Sequence, residues 1–111
     1  MGKDWTRTKK YRDLKTGLCD NLAARGLVEP VWTELLGRYM ELWCEFQELT
    51  EDIRERGVCV MDEKRGMLVE NRSLTIRHQT SQKMLDIYNA LGFREISAGK
   101  AQNTGLEDDE L

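Results

Sequence analysis

Six cations fall within the first sixteen residues of this 111-residue chain, accompanied by only two carboxylates. Residues 1–16 therefore carry a net charge of +4, although the whole chain sums to −3. Clustered lysines and arginines can pair with the phosphates of a nucleic-acid backbone, a contact that depends on charge and not on base sequence. We call these six residues the basic head: Lys3, Arg7, Lys9, Lys10, Arg12 and Lys15. A solvated terminus without a partner is the alternative interpretation.

Two other charged sets are candidates for contacts with partners. The second candidate set for DNA is sparser and lies late in the chain: Arg72, Arg77 and Lys83. An acidic tail follows near the other end: Glu107, Asp108, Asp109 and Glu110. Because four adjacent carboxylates would repel DNA, we expect the acidic tail to contact a protein.

The sequence offers little for catalysis or metal binding. The three cysteines, Cys19, Cys44 and Cys59, are odd in number and widely spaced, which supports neither a disulfide framework nor a metal knuckle. His78 is the only histidine, and its pairing with Asp86 or Cys59 in an enzyme would have no supporting spacing. No phosphate-binding loop, nucleophile elbow or zinc-protease helix motif occurs. We therefore expect no enzymatic activity, no cofactor and no metal.

The elements that would position these charges are predicted to be mainly helical. A first amphipathic helix is expected from about Lys10 to Arg25, because apolar residues recur there at intervals of three and four. These residues are Tyr11, Leu14, Leu18 and Leu22. Gly26 and Pro30 are typical of the end of one helix and the first turn of the next, so the second helix must fold back or cross.

The second predicted helix, residues 29–56, carries a heptad pattern along more than three repeats. Its apolar seam is Trp32, Leu35, Tyr39, Leu42, Trp43, Phe46, Leu49 and Ile53. About 27 residues at 1.5 Å each make a rod of roughly 40 Å, for which this short chain has little cover. An ordinary long core helix would account for most of the pattern. We expect part of the seam to meet another subunit in a homo-oligomer.

A small hairpin with strands at residues 58–61 and 67–69 is expected next, followed by a second long helix packing antiparallel. Asn71 or Ser73 is the predicted N-cap of that helix, and Gly92 follows its end. Only its second half, from Met84 to Leu91, has the spacing of a buried face. The expected organisation is a basic flexible N-terminus (1–9), a helical domain (10–97) and a disordered acidic tail (98–111).

The order of these features resembles the phage terminase small subunit family over about residues 10–96. The resemblance lies in the turn "LAARGLVEP", the long helix "VWTELLGRYMELWCEFQELTEDIRERG", the hairpin, and "VENRSLTIRHQTSQKMLDIYNALGF". Two positions depart from the family pattern. Asn71-Arg72 replaces the usual Asn-Pro, and "LGFREISAGKA" lacks the usual Thr-Pro and basic residue, which leaves any further C-terminal helix open.

The resemblance implies a non-enzymatic subunit that binds double-stranded viral DNA in the cytoplasm of a bacterial host. Such subunits form rings and deliver the genome to the large terminase subunit, which holds the ATPase and nuclease. In a ring, the polar stretch from Arg77 to Lys83 could line a channel or contact a neighbouring subunit. A helical adaptor or regulator that binds only protein is the alternative. No apolar run is long enough for a membrane span, and no signal peptide is expected.

Overall fold

The computed structural model describes residues 3–93, which form three α-helices and a two-stranded antiparallel sheet. After a short 3-10 turn at Trp5–Arg7, the elements are α1 (Lys9–Ala24), α2 (Pro30–Arg56), β1 (Cys59–Asp62), β2 (Met67–Glu70) and α3 (Ser73–Ala90). The mainly helical fold class and the predicted order of elements are confirmed.

The helix boundaries follow from local chemistry at each end. The Thr8 side chain accepts a hydrogen bond from the Tyr11 backbone N–H at 3.2 Å and so caps α1. Pro30 occupies the first turn of α2, where its missing N–H costs nothing. Gly26 (φ 77°) and Gly57 (φ 85°) follow α1 and α2 in the left-handed region, where other residues would be strained.

The hairpin between α2 and α3 is short and closed by side-chain bonds. Cys59 lies opposite Glu70, and Asp62 lies opposite Met67. At the turn, the Asp62 carboxylate accepts from the backbone N–H groups of Lys64 (3.0 Å) and Arg65 (3.3 Å). This local pairing fixes the register of two four-residue strands, which would be marginally stable alone.

The core joins all three helices and the residues that follow α3. Its fully buried members are Leu22, Leu36, Met40, Leu91 and Phe93. The end of α3 is also fixed to the end of α1. The Arg25 guanidinium donates to the Leu91 carbonyl at 2.7 Å and lies 5.2 Å from the centre of the Phe93 ring.

The described part of the N-terminal segment packs on α2, and the flexibility expected for residues 1–9 stays a prediction. Trp5 is only 9% exposed, and its ring meets Trp43 of α2 edge-on at 6.1 Å between centroids. Asp4 caps the 3-10 turn by accepting from the Thr6 backbone N–H at 3.0 Å. Burial of one large aromatic side chain is enough to hold the described part of this segment against α2.

The polar half of α3 also packs, contrary to the expectation that only Met84–Leu91 would. Ser73 and Thr80 are buried, whereas Leu85 is 50% exposed. Small polar side chains let the start of α3 approach α2 closely, and the Ser73 hydroxyl donates a hydrogen bond to Asp52 of α2 at 2.6 Å. Periodicity of hydrophobic residues therefore understates the contact between α2 and α3.

No helix within residues 3–93 is long and apolar enough to cross a membrane. The acidic tail and the boundary expected between residues 97 and 98 lie outside the described residues.

Candidate nucleic-acid interface

Four of the six cations of the basic head lie on α1, which also contributes to the core, whereas Lys3 and Arg7 precede this helix. Tyr11, Leu14 and Leu18 of α1 pack against the core cluster, whereas Lys9 and Arg12 are exposed. Lys9 and Arg12 project away from the packed face of α1 because of helical spacing. Lys15, four residues after Tyr11, lies beside that face instead, with its ammonium group over the Tyr11 ring.

Aromatic rings under the basic head fix its position on α2. The Lys3 ammonium lies 4.3 Å from the Trp5 ring centre, and the Lys15 ammonium lies 5.9 Å from the Tyr11 ring centre. Tyr11 and Trp5 both pack on Trp43, with ring centroids 5.9 and 6.1 Å away. Cation–π contacts of this kind hold an ammonium group near the surface without neutralising its charge. Sequence reasoning missed Trp5, whose only signal is an isolated tryptophan in a polar segment.

The acidic residues among residues 1–16 lie near only some of the cations of the basic head. Asp4 lies 3.4 Å from Arg7, and both side chains are exposed. Hydrogen bonds from Thr6 hold the pKa of Asp4 below its usual value, with Arg7 a smaller contributor. Asp13 stands four residues after Lys9 and shares its helix face. Within residues 3–93, no ion pair involves Lys9, Lys10 or Arg12.

The second candidate set for DNA is divided by its surroundings. Arg72 is exposed just before α3. Arg77 is half-buried: its guanidinium lies 5.6 Å from the centre of the Phe46 ring and donates to the Thr50 hydroxyl at 3.3 Å. Arg77 is therefore partly engaged with α2, through one hydrogen bond and one aromatic contact.

Lys83, the third member of that set, lies in a charged groove between α2 and α3. Glu41 and Glu45 line the groove from α2, and Asp86 lines it from α3. Arg38 also lines the groove, so three carboxylates face two cations, and this excess of negative charge makes a poor surface for phosphate. The three cations therefore differ in their surroundings: Arg72 is exposed, Arg77 contacts α2, and Lys83 lies among carboxylates.

A polar network joins the end of α2 to the start of α3. We call its members the junction network: Asp52, Arg56, Asn71 and Ser73. Asn71 is fully buried, and its amide group donates to the Gly57 carbonyl at 3.0 Å and to Asp52 at 3.2 Å. Its amide oxygen accepts from Arg56 at 3.2 Å and from the Ser73 backbone N–H at 3.0 Å. Asn71 and Ser73, the two predicted N-caps of α3, therefore both lie in this network, but the prediction of the cap is wrong: the N-cap position is Arg72, whose side chain forms no capping hydrogen bond.

Asp52 is the acceptor at the centre of the junction network. Arg56 donates to both of its carboxylate oxygens, at 2.6 and 2.7 Å, and the Ser73 hydroxyl donates at 2.6 Å. The hydrogen bonds from Arg56, then those from Ser73 and Asn71, hold the pKa of Asp52 far below its usual value. Sequence reasoning missed Asp52 and Arg56, although their i, i+4 spacing on α2 is a signal for such a pair.

The heptad seam of α2 is only partly covered. All eight seam residues are half-buried, whereas the fully buried residues of α2 are Leu36 and Met40. An open groove of about 380 Å³ runs along the seam between α2 and α3, lined by Tyr39, Trp43, Phe46, Met84 and Leu85 among others. Burial, and secondarily the charge of nearby Tyr88, raises the pKa of Tyr39. The seam therefore retains apolar surface after α1 and α3 have packed on it.

The described residues contain no cluster of three or more His, Cys, Asp or Glu side chains that could hold a metal ion. Their three cysteines are free thiols, with Cys19 and Cys44 half-buried and Cys59 exposed. Burial is the main cause of the raised pKa of Cys44, which keeps this thiol protonated.

Comparison of the sequence with known proteins identifies the family of this chain. A family model for the phage terminase small subunit matches residues 16–107, which is most of the chain. The match begins directly after the last cation of the basic head and ends at the first residue of the acidic tail. Comparisons with curated proteins and with solved structures found no significant match. The chain belongs to the phage terminase small subunit family.

Proposed function

We propose that this protein binds viral double-stranded DNA through the basic head and delivers it to the large terminase subunit for genome packaging. The observation that carries this proposal is the exposure of Lys9, Lys10 and Arg12 on a helix whose opposite side is fixed in the core. Unpaired cations on a fixed helix can contact phosphates without breaking an existing ion pair. The family supplies the packaging context.

The charge of α2 also favours the basic head over the second candidate set as the DNA contact. The α2 helix carries seven carboxylates and three arginines, so its surface disfavours a polyanion. Arg77 of the second set is engaged with Phe46 and Thr50. The basic head is therefore the better candidate for the phosphate contacts.

The test is a gel-shift titration with a variant in which four cations of the basic head become glutamine: Lys9, Lys10, Arg12 and Lys15. Loss of about four phosphate contacts should weaken binding about a thousandfold near 0.1 M salt, for specific and non-specific duplexes alike. A matched control changes four exposed cations elsewhere to glutamine: Arg38, Arg54, Lys64 and Arg65. Equal affinities of the two variants would refute the proposed role of the basic head.

A homo-oligomeric ring is part of the proposal, because the seam keeps apolar surface open within one chain. The groove lined by Tyr39, Trp43 and Phe46 is the surface available to a neighbouring subunit. Native mass spectrometry at micromolar concentration should give an assembly of about six or more copies. A monomer at that concentration would contradict this part of the proposal.

We assign the acidic tail, Glu107 to Glu110, to contact with the large subunit, and we assign the ATPase and nuclease reactions to that subunit. On this account the present chain is not an enzyme and works in the cytoplasm of the bacterial host. Deleting residues 98–111 should weaken co-purification with the large subunit while changing the melting temperature by less than about 2 °C, the size of a small surface effect. Unchanged co-purification would contradict this role of the tail.

A further inference from the structure

We propose that the acidic tail also binds the basic head of this protein and competes with DNA for it. The inference rests on the proposed function of the basic head as the DNA contact. The acidic tail carries four carboxylates at consecutive positions, and residues 1–16 carry a net charge of +4. The two segments are therefore matched in charge and opposite in sign.

The basic head is open to such an occupant. Lys9, Lys10 and Arg12 are exposed and take part in no ion pair within the described part of the chain. Lys15 is exposed as well, with its ammonium group over Tyr11. A carboxylate brought to this face gains several cations without displacing an existing partner.

The end of the described chain lies within reach of the basic head. Phe93 is held next to Arg25, directly after the C-terminal end of α1, whereas Lys9 and Lys10 begin that helix. The sixteen residues of α1 span roughly 24 Å at 1.5 Å per residue. About fourteen residues connect Phe93 to Glu107, and they can extend to at most about 50 Å. The acidic tail can thus reach the far end of α1 without any change in the fold.

Tethering makes this contact effective although each ion pair is weak. Exposed pairs contribute about 0–1 kcal/mol each and are screened by salt. A short tether raises the effective concentration of the tail to the millimolar range, so several weak pairs can cover the basic head for much of the time. DNA, with its higher charge density, would displace the tail, and a protein that captures the tail would expose the basic head to DNA.

Cross-linking tests the contact itself without depending on DNA binding. A carbodiimide that joins carboxylates to amines without a spacer is applied to the full chain in low salt. We expect peptides joining Lys9, Lys10 or Lys15 to residues 107–110, and we expect these products to disappear above about 0.5 M salt, where screening is strong. Absence of such products at low salt would overturn the proposal, whatever the DNA affinity is.

Competition is tested with a tail variant that removes four charges without shortening the chain: Glu107→Gln, Asp108→Asn, Asp109→Asn and Glu110→Gln. Its control changes four exposed glutamates in the helical body and the hairpin to glutamine: Glu45, Glu48, Glu55 and Glu63. If the basic head is uncovered about one-tenth of the time, the tail variant should bind a non-specific duplex about tenfold more tightly than the control near 50 mM salt. Equal affinities would overturn the competition.

Binding of the same duplex also distinguishes a failure of the head–tail contact from a failure of the proposed DNA-binding function. In the background of the basic-head variant, neutralising the tail should bring no gain in affinity, because the tail then has nothing to uncover. A persistent tenfold gain in that background would overturn the proposal by showing that the tail acts on another surface. Cross-links in a protein that does not bind DNA would refute the proposed function and leave the head–tail contact standing.

Discussion

The cations of the basic head differ from Arg56 and Arg77 in what their side chains contact. Lys9 and Lys10 are exposed, whereas Arg56 is bonded to Asp52 and Asn71, and Arg77 lies on Phe46. The same charge thus serves the fold in one region and is available to a partner in the other. The comparison teaches that a cation indicates a nucleic-acid contact only after its neighbours are known.

The largest expected effect on stability comes from breaking the junction network. Asn71→Ala removes an amide that forms four side-chain hydrogen bonds, and it leaves the buried backbone N–H of Ser73 and the part-buried Gly57 carbonyl without this partner. We expect the free energy of unfolding to fall by about 2–3 kcal/mol. Thermal unfolding at fixed protein concentration measures this loss.

The matched control is Asn89→Ala, since the side-chain oxygen of Asn89 accepts no hydrogen bond from the described residues. Its effect should be much smaller. If the two variants melted at the same temperature, the junction network would have no special role in holding the hairpin and α3 to α2.

Arg77→Gln should have the next largest effect, because it removes the contact with Phe46 and weakens the bond to Thr50. A loss of about 1 kcal/mol in unfolding free energy is expected. Arg72→Gln, an exposed control five residues earlier, should change that free energy by less than about 0.5 kcal/mol. Denaturant titration of both variants measures these changes. If Arg77→Gln lowered the unfolding free energy no more than Arg72→Gln does, Arg77 would be available to a partner, as the cations of the basic head are, and would not serve the fold.

Acid should selectively weaken the junction network. The lowered pKa of Asp52 means that the folded protein holds this carboxylate ionised where the unfolded chain, with a pKa near 4, begins to protonate. Its contribution is therefore complete above about pH 4 and is lost as the pH falls further. Unfolding free energies of the wild type and Asp52→Asn should converge on acidification below pH 4. A constant difference between them down to about pH 2 would contradict the assignment.

The smallest stability effect is expected from the basic head itself. Changing Lys9, Lys10, Arg12 and Lys15 together to glutamine leaves Tyr11 and the apolar face of α1 intact. We expect a change in unfolding free energy within about 0.5 kcal/mol, as for other exposed substitutions. A loss comparable to that of Asn71→Ala would show that these cations serve the fold after all.

Much of the fold could be predicted from the sequence because its elements are marked by local signals. Gly26, Pro30 and Gly57 lie at the helix boundaries, and the heptad pattern of α2 extends over nearly its whole length. Hydrophobic periodicity did not reveal that Thr80 is buried while Leu85 is half exposed. The burial of Thr80 and the exposure of Leu85 depend on how closely α3 approaches α2, which is a property of tertiary packing.

The candidate site was only partly predictable for a similar reason. The charge count located the basic head, and the spacing of Tyr11, Leu14 and Leu18 indicated which side of α1 is buried. The engagement of Arg77 could not be predicted, because Phe46 and Thr50 lie about 30 residues earlier in the chain. Long-range contacts of this kind separate structural cations from available ones.

The salt dependence of DNA binding tests the central claim most directly. For wild-type protein contacting about five phosphates, the logarithm of the binding constant should fall against the logarithm of salt concentration with a slope near −4 to −5. The variant of Lys9, Lys10, Arg12 and Lys15 should reduce the steepness by about four units, while glutamine at Arg72, Arg77 and Lys83 should leave it unchanged. An unchanged slope for the first variant, together with loss of binding by the second, would contradict the account and move the DNA contact to α3.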